Sequence, residues 1–269
     1  MQFSRLSAIW SSFHSSDLYR DVALRWKGIG VLYLLLLLAI TWLPSGVRWY
    51  SGVRNFVATE APPVVKQLPV VSIKGGVMTA NPPGRHVIKL GTEKGRPVEE
   101  GGLIIDDTID TIPEDVRVPT FIVTRRQAAM IQPAKSERRV WTLDQASDMV
   151  ITPEGVDHFL NSLARWIAPV GYVCAVLGAL VFRVLQALLY GAFTTIYASR
   201  KSVTLNYATA IRLCAVAVTP VVIIRTLIWF GPWEPAWYWR WPVAIAITAG
   251  YIAFAIRSVA ESRATATGV

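Results

Sequence analysis

IGVLYLLLLLAITWL, residues Ile29 to Leu43, is the stretch on which the reading of this chain turns. It is free of charge but only 15 residues long. A bilayer span needs about 20 such residues, and a shorter run also fits the apolar centre of a signal peptide. Two features oppose cleavage. The arm before it is long and patterned, and Pro44-Ser45-Gly46-Val47-Arg48 lacks a small-x-small site of the Ala-x-Ala kind. With Trp26 and Trp42 as interfacial anchors and flanking residues to Val47, the segment reaches across about 30 Å of hydrocarbon. Residues 26–47 are therefore read as an uncleaved transmembrane helix.

Further along, three more apolar segments follow one another closely. Thr152 suits an N-cap, Pro153 the first helical position, and Glu154 the positive end of the helix dipole. That start predicts a helix running through Phe159 and Trp166 into a second span at about 166–190. A third span is expected at about 208–230 and a fourth at 241–257, with Pro242 near its start. Between the last two lies GPWEPAWYWRW (Gly231 to Trp241), with four tryptophans and one tyrosine. An aromatic ligand cage is the sharp reading of it; an interfacial belt in a tight outer loop is the plainer one and is preferred.

Charge orients the chain. The protein has 53% hydrophobic and 17% charged residues and a net charge of +9, greasier than an average soluble domain. From Arg48 to Arg165 it carries 15 Lys/Arg against 14 Asp/Glu, so the polar region is nearly neutral. The excess sits by the apolar segments: Arg5, Arg20, Arg25, Lys27, then Arg200, Lys201, Arg212, then Arg257 and Arg263. Basic flanks mark cytoplasmic ends and meet anionic headgroups. Both termini and the Ala198–Tyr207 link are thus expected in the cytoplasm, with residues 48–164 outside. No basic patch with interleaved aromatics lies in the polar region, which argues against nucleic acid as a partner.

The resulting fold class is an α-helical polytopic membrane protein of four transmembrane helices with an inserted β-rich extracytoplasmic domain, α+β overall. Residues 1–25 form a cytoplasmic amphipathic arm. Phe3, Leu6, Trp10 and Phe13 recur at helical spacing, and Ser15, Ser16 and Asp17 can cap a second helix, LYRDVALRWKGIG, that enters the membrane. Residues 48–164 make the outer module, residues 165–257 a three-helix membrane bundle, and residues 258–269 a cytoplasmic tail. In the module Val71-Ser72-Ile73-Lys74 alternates in period two, and Gly75-Gly76 offers a hairpin turn before Val77-Met78-Thr79. Further strands are expected at His86 to Leu90, Gly102 to Asp106, Thr120 to Thr124 and Arg139 to Leu143. Prolines 69, 82, 83, 97, 113, 119 and 133 punctuate them. Val47 to Thr59 looks like a helical extension of the first span, ended by Pro62-Pro63.

The pattern holds little chemistry. Cys174 and Cys214 both fall in predicted spans as packing residues, so the outer module has no disulfide. His14, His86 and His158 are scattered without metal-ligand spacing. Asp106, Asp107 and Asp110 cluster in LIIDDTIDTIPED but lack the glycine-interrupted loop of a calcium site, so a turn or strand end is expected. There is no phosphate loop, nucleophile elbow or zincin pattern. The expectation is a non-enzymatic protein with no catalytic, cofactor or metal site and no cofactor.

The costly residues lie inside the apolar segments. Arg183 and Gln186, in FRVLQALLY, fall in the second span, and Arg225 toward the outer end of the third. A central arginine costs about 2.5–3.5 kcal/mol on insertion scales. No Asp or Glu lies in a predicted span, so Arg183 must pair with helix-end carbonyls or Gln186, or serve an anionic headgroup or solute. Arg225 can snorkel to headgroups. Pro220, in AVTPVV, should kink the third helix and free a carbonyl. Arg183, Gln186, Arg225 and Pro220 form the candidate intramembrane polar site.

LYRDVALRWKGIG, PVVSIKGGV, LIIDDT, FIVTRRQAAMI, FRVLQALLYGAF and YATAIRLCAVAVTPVVIIRTL (Tyr207 to Leu227) occur in this order along the chain. In these the chain resembles, over about residues 13–257, the bacterial inner-membrane proteins grouped as domain of unknown function 1189. The last motif is also distantly similar to the Yip1-type membrane core. Family pattern would place Thr and then Gly after the Ile-Asp pair of LIIDDT; here Asp107 intervenes and no Gly follows. The resemblance implies a bacterial inner-membrane location and no catalytic residue. Two functional expectations follow. The preferred one, motivated by a folded outer module without catalytic constellations, is a non-enzymatic scaffold or accessory protein whose outer module binds a protein partner or envelope component. The other is a transporter or lipid-handling protein working around Arg183 and Gln186. The lipid bilayer, with anionic headgroups at the cytoplasmic face, is a partner in either case. A sensor would need a partner as well, because the cytoplasmic parts are too short for a signalling domain.

Overall fold

The computed structural model describes residues 3–89, 92–93, 96–97, 102–113, 120–132, 137–201, 203–231 and 237–266. The expectations for Leu90, Pro119, Pro133, residues 232–236 of the aromatic stretch and residues 267–269 of the tail lie outside them. The chain divides into two compact units: Met1–Arg48 with Pro169–Val269, and Trp49–Ala168.

In the first unit, helices α1 (Arg5–Ser11) and α2 (Ser16–Leu24) each start on a serine. Ser4 Oγ accepts from the Ser7 N–H at 3.1 Å and Ser15 Oγ from the Leu18 N–H at 3.2 Å, satisfying donors that a first helical turn leaves free. α1 buries Ala8 and exposes Leu6 and Trp10, an apolar face suited to a lipid surface. The expected helix from Leu18 straight into the first span is not formed. α2 stops at Leu24, and Gly28 and Gly30 take φ values of 77° and 82°. These left-handed turns are open to glycine at no steric cost and break the helical run. Trp26 is also not an anchor at the surface: it is buried, and its indole N–H donates to the Asp21 carboxylate at 3.1 Å.

The first long helix, α3 (Val31–Asn55), starts after that turn and passes through Pro44. A π-helical turn (Phe56–Glu60) and α4 (Ala61–Val65) continue it. Pro62 and Pro63 therefore do not end the extension as expected. They occupy the first turn of α4, where a missing N–H has no helical partner to lose. α5 (Pro153–Arg200) begins on Thr152, whose Oγ1 accepts from the Gly155 N–H at 3.0 Å. It runs beyond the expected end at Tyr190 because Ala192 to Arg200 contains no helix breaker. The predicted third helix divides at Val218 into α6 (Tyr207–Ala217) and α7 (Thr219–Phe230), since Pro220 has no N–H to offer the carbonyl four residues back. α8 (Trp237–Ala266) starts ahead of Pro242 rather than at it and runs past the expected end at 257.

Four stretches, Val31–Val65, Pro153–Arg200, Tyr207–Phe230 and Trp241–Ser262, are long and apolar enough to cross a membrane. α6 lies innermost, with Leu213 to Ala217 buried throughout. α5 by contrast exposes Val173, Leu177, Val181, Phe182, Leu185 and Leu189, more apolar surface than water tolerates on a soluble protein. One cluster gathers Leu18 and Val22 of α2, Ala198 of α5, Val203, Leu213 of α6 and Val259 of α8. Arg20 fastens it by donating to the Ser258 carbonyl at 3.0 Å and pairing with Glu261 at 3.6 Å. The three segments that charge counting grouped together thus meet at one end of this unit.

In the second unit, β1 (Val70–Lys74) and β2 (Val77–Asn81) form the predicted hairpin, with Gly75 and Gly76 at φ 54° and 77°. Strands β3 (Arg85–Lys89), β6 (Gly102–Asp106), β7 (Thr120–Thr124) and β9 (Glu137–Thr142) fall where alternation placed them, within a few residues. The short β4 (Thr92–Glu93) and β5 (Arg96–Pro97), with β8 (Gln127–Gln132) and β10 (Met149–Ile151), are additional. Their order is β10-β1-β2 in one sheet and β3-β6-β7-β8-β9 in another, with β4 paired to β5. Only β6 and β7 run parallel among these ladders. Ile73, Met78, Ile88 and Ile105 join the two larger sheets in one core. On the other face of the five-stranded sheet Ile122, Ala129 and Ile131 pack under Ile112.

Candidate functional site

The polar residues of the apolar helices fall into two groups. In the first, α5 carries Arg183, Gln186 and Tyr190 at helical spacing, so one face presents all three. Arg183 Nη1 donates to Gln186 Oε1 at 2.5 Å, and Gln186 Nε2 donates to the Tyr190 hydroxyl at 3.2 Å. Arg183 also stacks over the Phe182 ring at 5.8 Å. Sequence reasoning paired Arg183 with Gln186 but missed Tyr190, although its position four residues beyond Gln186 was visible in FRVLQALLY.

Arg225, on α7, is exposed, and its guanidinium lies 5.8 Å from the Trp241 ring centroid. The α7 residues Val222 and Ile223, within a turn of Arg225, pack in one cluster with Leu180 and Val184 around Arg183, so two like charges share this region. Pro220 is buried and holds no polar partner of its own. Its neighbours Val218 and Val222 share an apolar cluster with Leu180 and Val184, which flank Arg183. The bend at Pro220 therefore shapes the wall beside Arg183 rather than contributing a ligand. The relay ends on a groove of about 430 Å³ between α5 and α8. Tyr190 lines it together with Phe193, Tyr197, Ile245, Ala249 and Ile252.

The second group stands at the turn before α3. The Arg212 guanidinium donates to the Trp26 carbonyl and, at 2.9 Å, to Thr209 Oγ1. Its buried Nε has no hydrogen-bond partner among the described residues. Charge counting had placed Arg212 with the cytoplasmic excess; the fold uses it to hold the Trp26 backbone. Nearby, the Tyr33 hydroxyl and Thr219 Oγ1 lie 2.7 Å apart and buried, joining α3 to the first turn of α7.

The acidic cluster of the second unit is a set of turn fastenings. Asp106 Oδ1 accepts from the Thr108 N–H at 3.0 Å, while Asp107 accepts from the Ala80 N–H at 2.9 Å and the Gly84 N–H at 2.7 Å. Desolvation, the largest influence on Asp107, pushes its carboxyl up. The N–H groups of Ala80, Gly84 and Asp107 itself, with nearby His86, more than offset it and hold the carboxyl below the usual range. Asp110 faces Arg126 at 4.0 Å. Among the described residues no three His, Cys, Asp or Glu side chains converge as metal ligands would. His86 Nε2 lies 2.8 Å from the Pro82 carbonyl, and His14 and His158 are exposed. Cys214 is buried 3.1 Å from Thr194 Oγ1, whereas Cys174 is exposed rather than packed.

The model of the family described as "Protein of unknown function (DUF1189)" matches residues 6–256. The chain belongs to this family. The DUF1189 match takes in both units, including the Arg183–Gln186–Tyr190 face and the Asp107 turn. No curated protein and no solved structure matches the chain.

Proposed function

We propose that this DUF1189 protein resides in the bacterial inner membrane, with both termini cytoplasmic and residues 48–164 outside. In this reading it is a non-enzymatic transporter or lipid-handling protein working through the polar face of α5. The observation that carries the activity is the relay from Arg183 through Gln186 to Tyr190, which ends on an apolar groove. A polar chain leading into an apolar cleft suits a ligand with both a charged and a greasy part. The likeness of Tyr207–Leu227 to the Yip1-type core agrees with a membrane-handling role as a fold-level analogy.

Support for the orientation comes from the basic segments that meet at one end of the helical unit. Cysteines introduced at Lys201 and Arg139, in a background lacking Cys174 and Cys214, test it with an impermeant thiol reagent. Arg139→Cys should react in intact cells and Lys201→Cys only after permeabilisation; the reverse pattern rejects the orientation. For the activity, Arg183→Leu should insert normally yet alter lipid composition or solute uptake. Unchanged phenotypes with normal insertion would reject it.

The scaffold reading is favoured by a different observation. On one face of the five-stranded sheet Phe121 pairs with Met130 and Met130 with Arg139, with Trp141 on the same face. Phe121, Met130 and Trp141 are 40%, 41% and 46% exposed, an apolar strip of the kind that partners cover. A photocrosslinker at Met130 should trap one reproducible envelope partner, and an identical capture profile from a crosslinker at Lys74 would count against it.

A further inference from the structure

We propose that the face formed by α5, α7 and α8 binds one anionic phospholipid, its phosphate held between Arg183 and Arg225 and one acyl chain lying in the groove below Tyr190. The inference rests on the intramembrane reading above and names its ligand class.

Charge is the first argument. Leu180 and Val184, which flank Arg183, pack in one cluster with Val222 and Ile223, which lie within a turn of Arg225, and no Asp or Glu lies between Ala168 and Phe230 or between Trp241 and Ala260. Neighbouring guanidiniums repel unless an anion lies between them, and phosphate matches their forked donors. Donor capacity is the second. Of the five N–H groups on Arg183, Gln186 takes one, and Gln186 and Tyr190 are neutral. Neither arginine has an acidic partner among the described residues.

The groove decides between an amphiphile and a small solute. Its walls are Phe193, Tyr197, Ile245, Ala249, Ile252 and Ala253, with polar contributions from Tyr190 and Thr194. Ala249 and Ala253 stand four residues apart on α8, and their small side chains give the groove its depth. A soluble anion would leave this apolar cleft unused, whereas an acyl chain fills it. Arg225 lies in the Phe230-ward half of the apolar stretch Tyr207–Phe230 and beside Trp241 at the opening turns of α8. In the proposed orientation that is the outer half of the membrane, where a tryptophan sits at headgroup level. The groove then runs inward from the arginines, in the direction an outer-leaflet chain points.

The experiment uses the full-length protein in phosphatidylcholine vesicles doped with photoactivatable phosphatidylglycerol, or with the matching phosphatidylcholine probe. The anionic probe should label groove residues of α5 and α8 in preference to the zwitterionic one. Losing one charge-assisted contact lowers occupancy about tenfold, so Arg183→Gln with Arg225→Gln should abolish the preference. Arg183→Lys should keep most of it, and Ala249→Phe should lower labelling with both arginines present. Arg225→Gln alone, at an exposed position, carries the charge test if the double variant does not fold. Unchanged labelling in these variants, or labelling outside the groove, overturns the proposal. Displacement of the probe by glycerol phosphate or inorganic phosphate as readily as by unlabelled phosphatidylglycerol also overturns it, while leaving the polar-site reading standing. If no anion displaces the probe, both fail.

Discussion

Asp107 gives the most direct test of how the β-rich second unit is held together. Its carboxylate accepts from the Ala80 N–H at 2.9 Å and the Gly84 N–H at 2.7 Å, bridging the end of β2 to the loop before β3. Asp107→Ala removes both acceptors. The Ala80 residue is buried, so its N–H loses a charge-assisted partner that water replaces poorly, costing about 1.5–3 kcal/mol. Gly84 is half-exposed and is resolvated for a few tenths of that. The sum is roughly 2–3 kcal/mol, which for a unit of this size corresponds to a fall of about 10 °C in Tm. The acid dependence has a defined sign. Because the folded carboxyl lies below its usual range, its stabilisation is present above the unfolded pKa near ~4 and lost as pH falls through the folded value. Asp107→Asn cannot follow that change, so the gap between wild type and Asp107→Asn should shrink as pH is lowered below ~4. Thermal melts of the full-length protein in detergent, with hydrogen exchange on residues 78–89 to assign the transition, give both readings. A variant melting within about 1 °C of wild type at neutral pH would refute the reasoning.

Three further outcomes are expected. Gly76→Ala forces a left-handed φ of 77° on a residue whose Cβ would come 2.8 Å from Asp144 Cα; the same melt should fall by an amount equal to about 2 kcal/mol or more. Asp21→Ala leaves the Trp26 indole N–H without its buried acceptor, costing about 1–3 kcal/mol locally, and should speed hydrogen exchange across residues 3–30 while sparing the second unit. Gly191→Leu places a side chain where even a Cβ would approach Ile211 Cγ1 to 2.9 Å; α5 and α6 should separate, read as loss of a disulfide engineered between them.

What the sequence disclosed depended on the range of the determining interaction. Hairpin Gly75-Gly76, the Thr152 cap and the apolar runs are local, and each stands close to where pattern placed it. β8 and β10 were missed because their ladders are set by distant partners: Met149 to Ile151 are recognisable as a strand only beside Val71 to Ile73. Trp26 misled for the same reason. An aromatic flanking an apolar run fits an interfacial anchor, and nothing nearby announces that Trp26 is buried in a cluster with Tyr33 and Leu213 and held there by Asp21 and the Arg212 guanidinium. The Arg183–Gln186 contact was legible because it is one helical turn long, while the neighbourhood of Arg225 needed the packing of Leu180 and Val184 with Val222 and Ile223.

The pairing of β1 with β10 has a consequence for the history of the chain. These strands are the first and last described in the second unit, and Val71 faces Ile151 across the ladder, so the polypeptide enters and leaves the sheet about 5 Å apart. A segment with adjacent ends can be gained or lost in a single event without redirecting the helices before and after it. Replacing residues 70–151 by a short flexible linker should therefore yield a remnant that keeps all four membrane-length helical stretches folded, and grafting those residues into a surface turn of an unrelated carrier should yield a folded β unit.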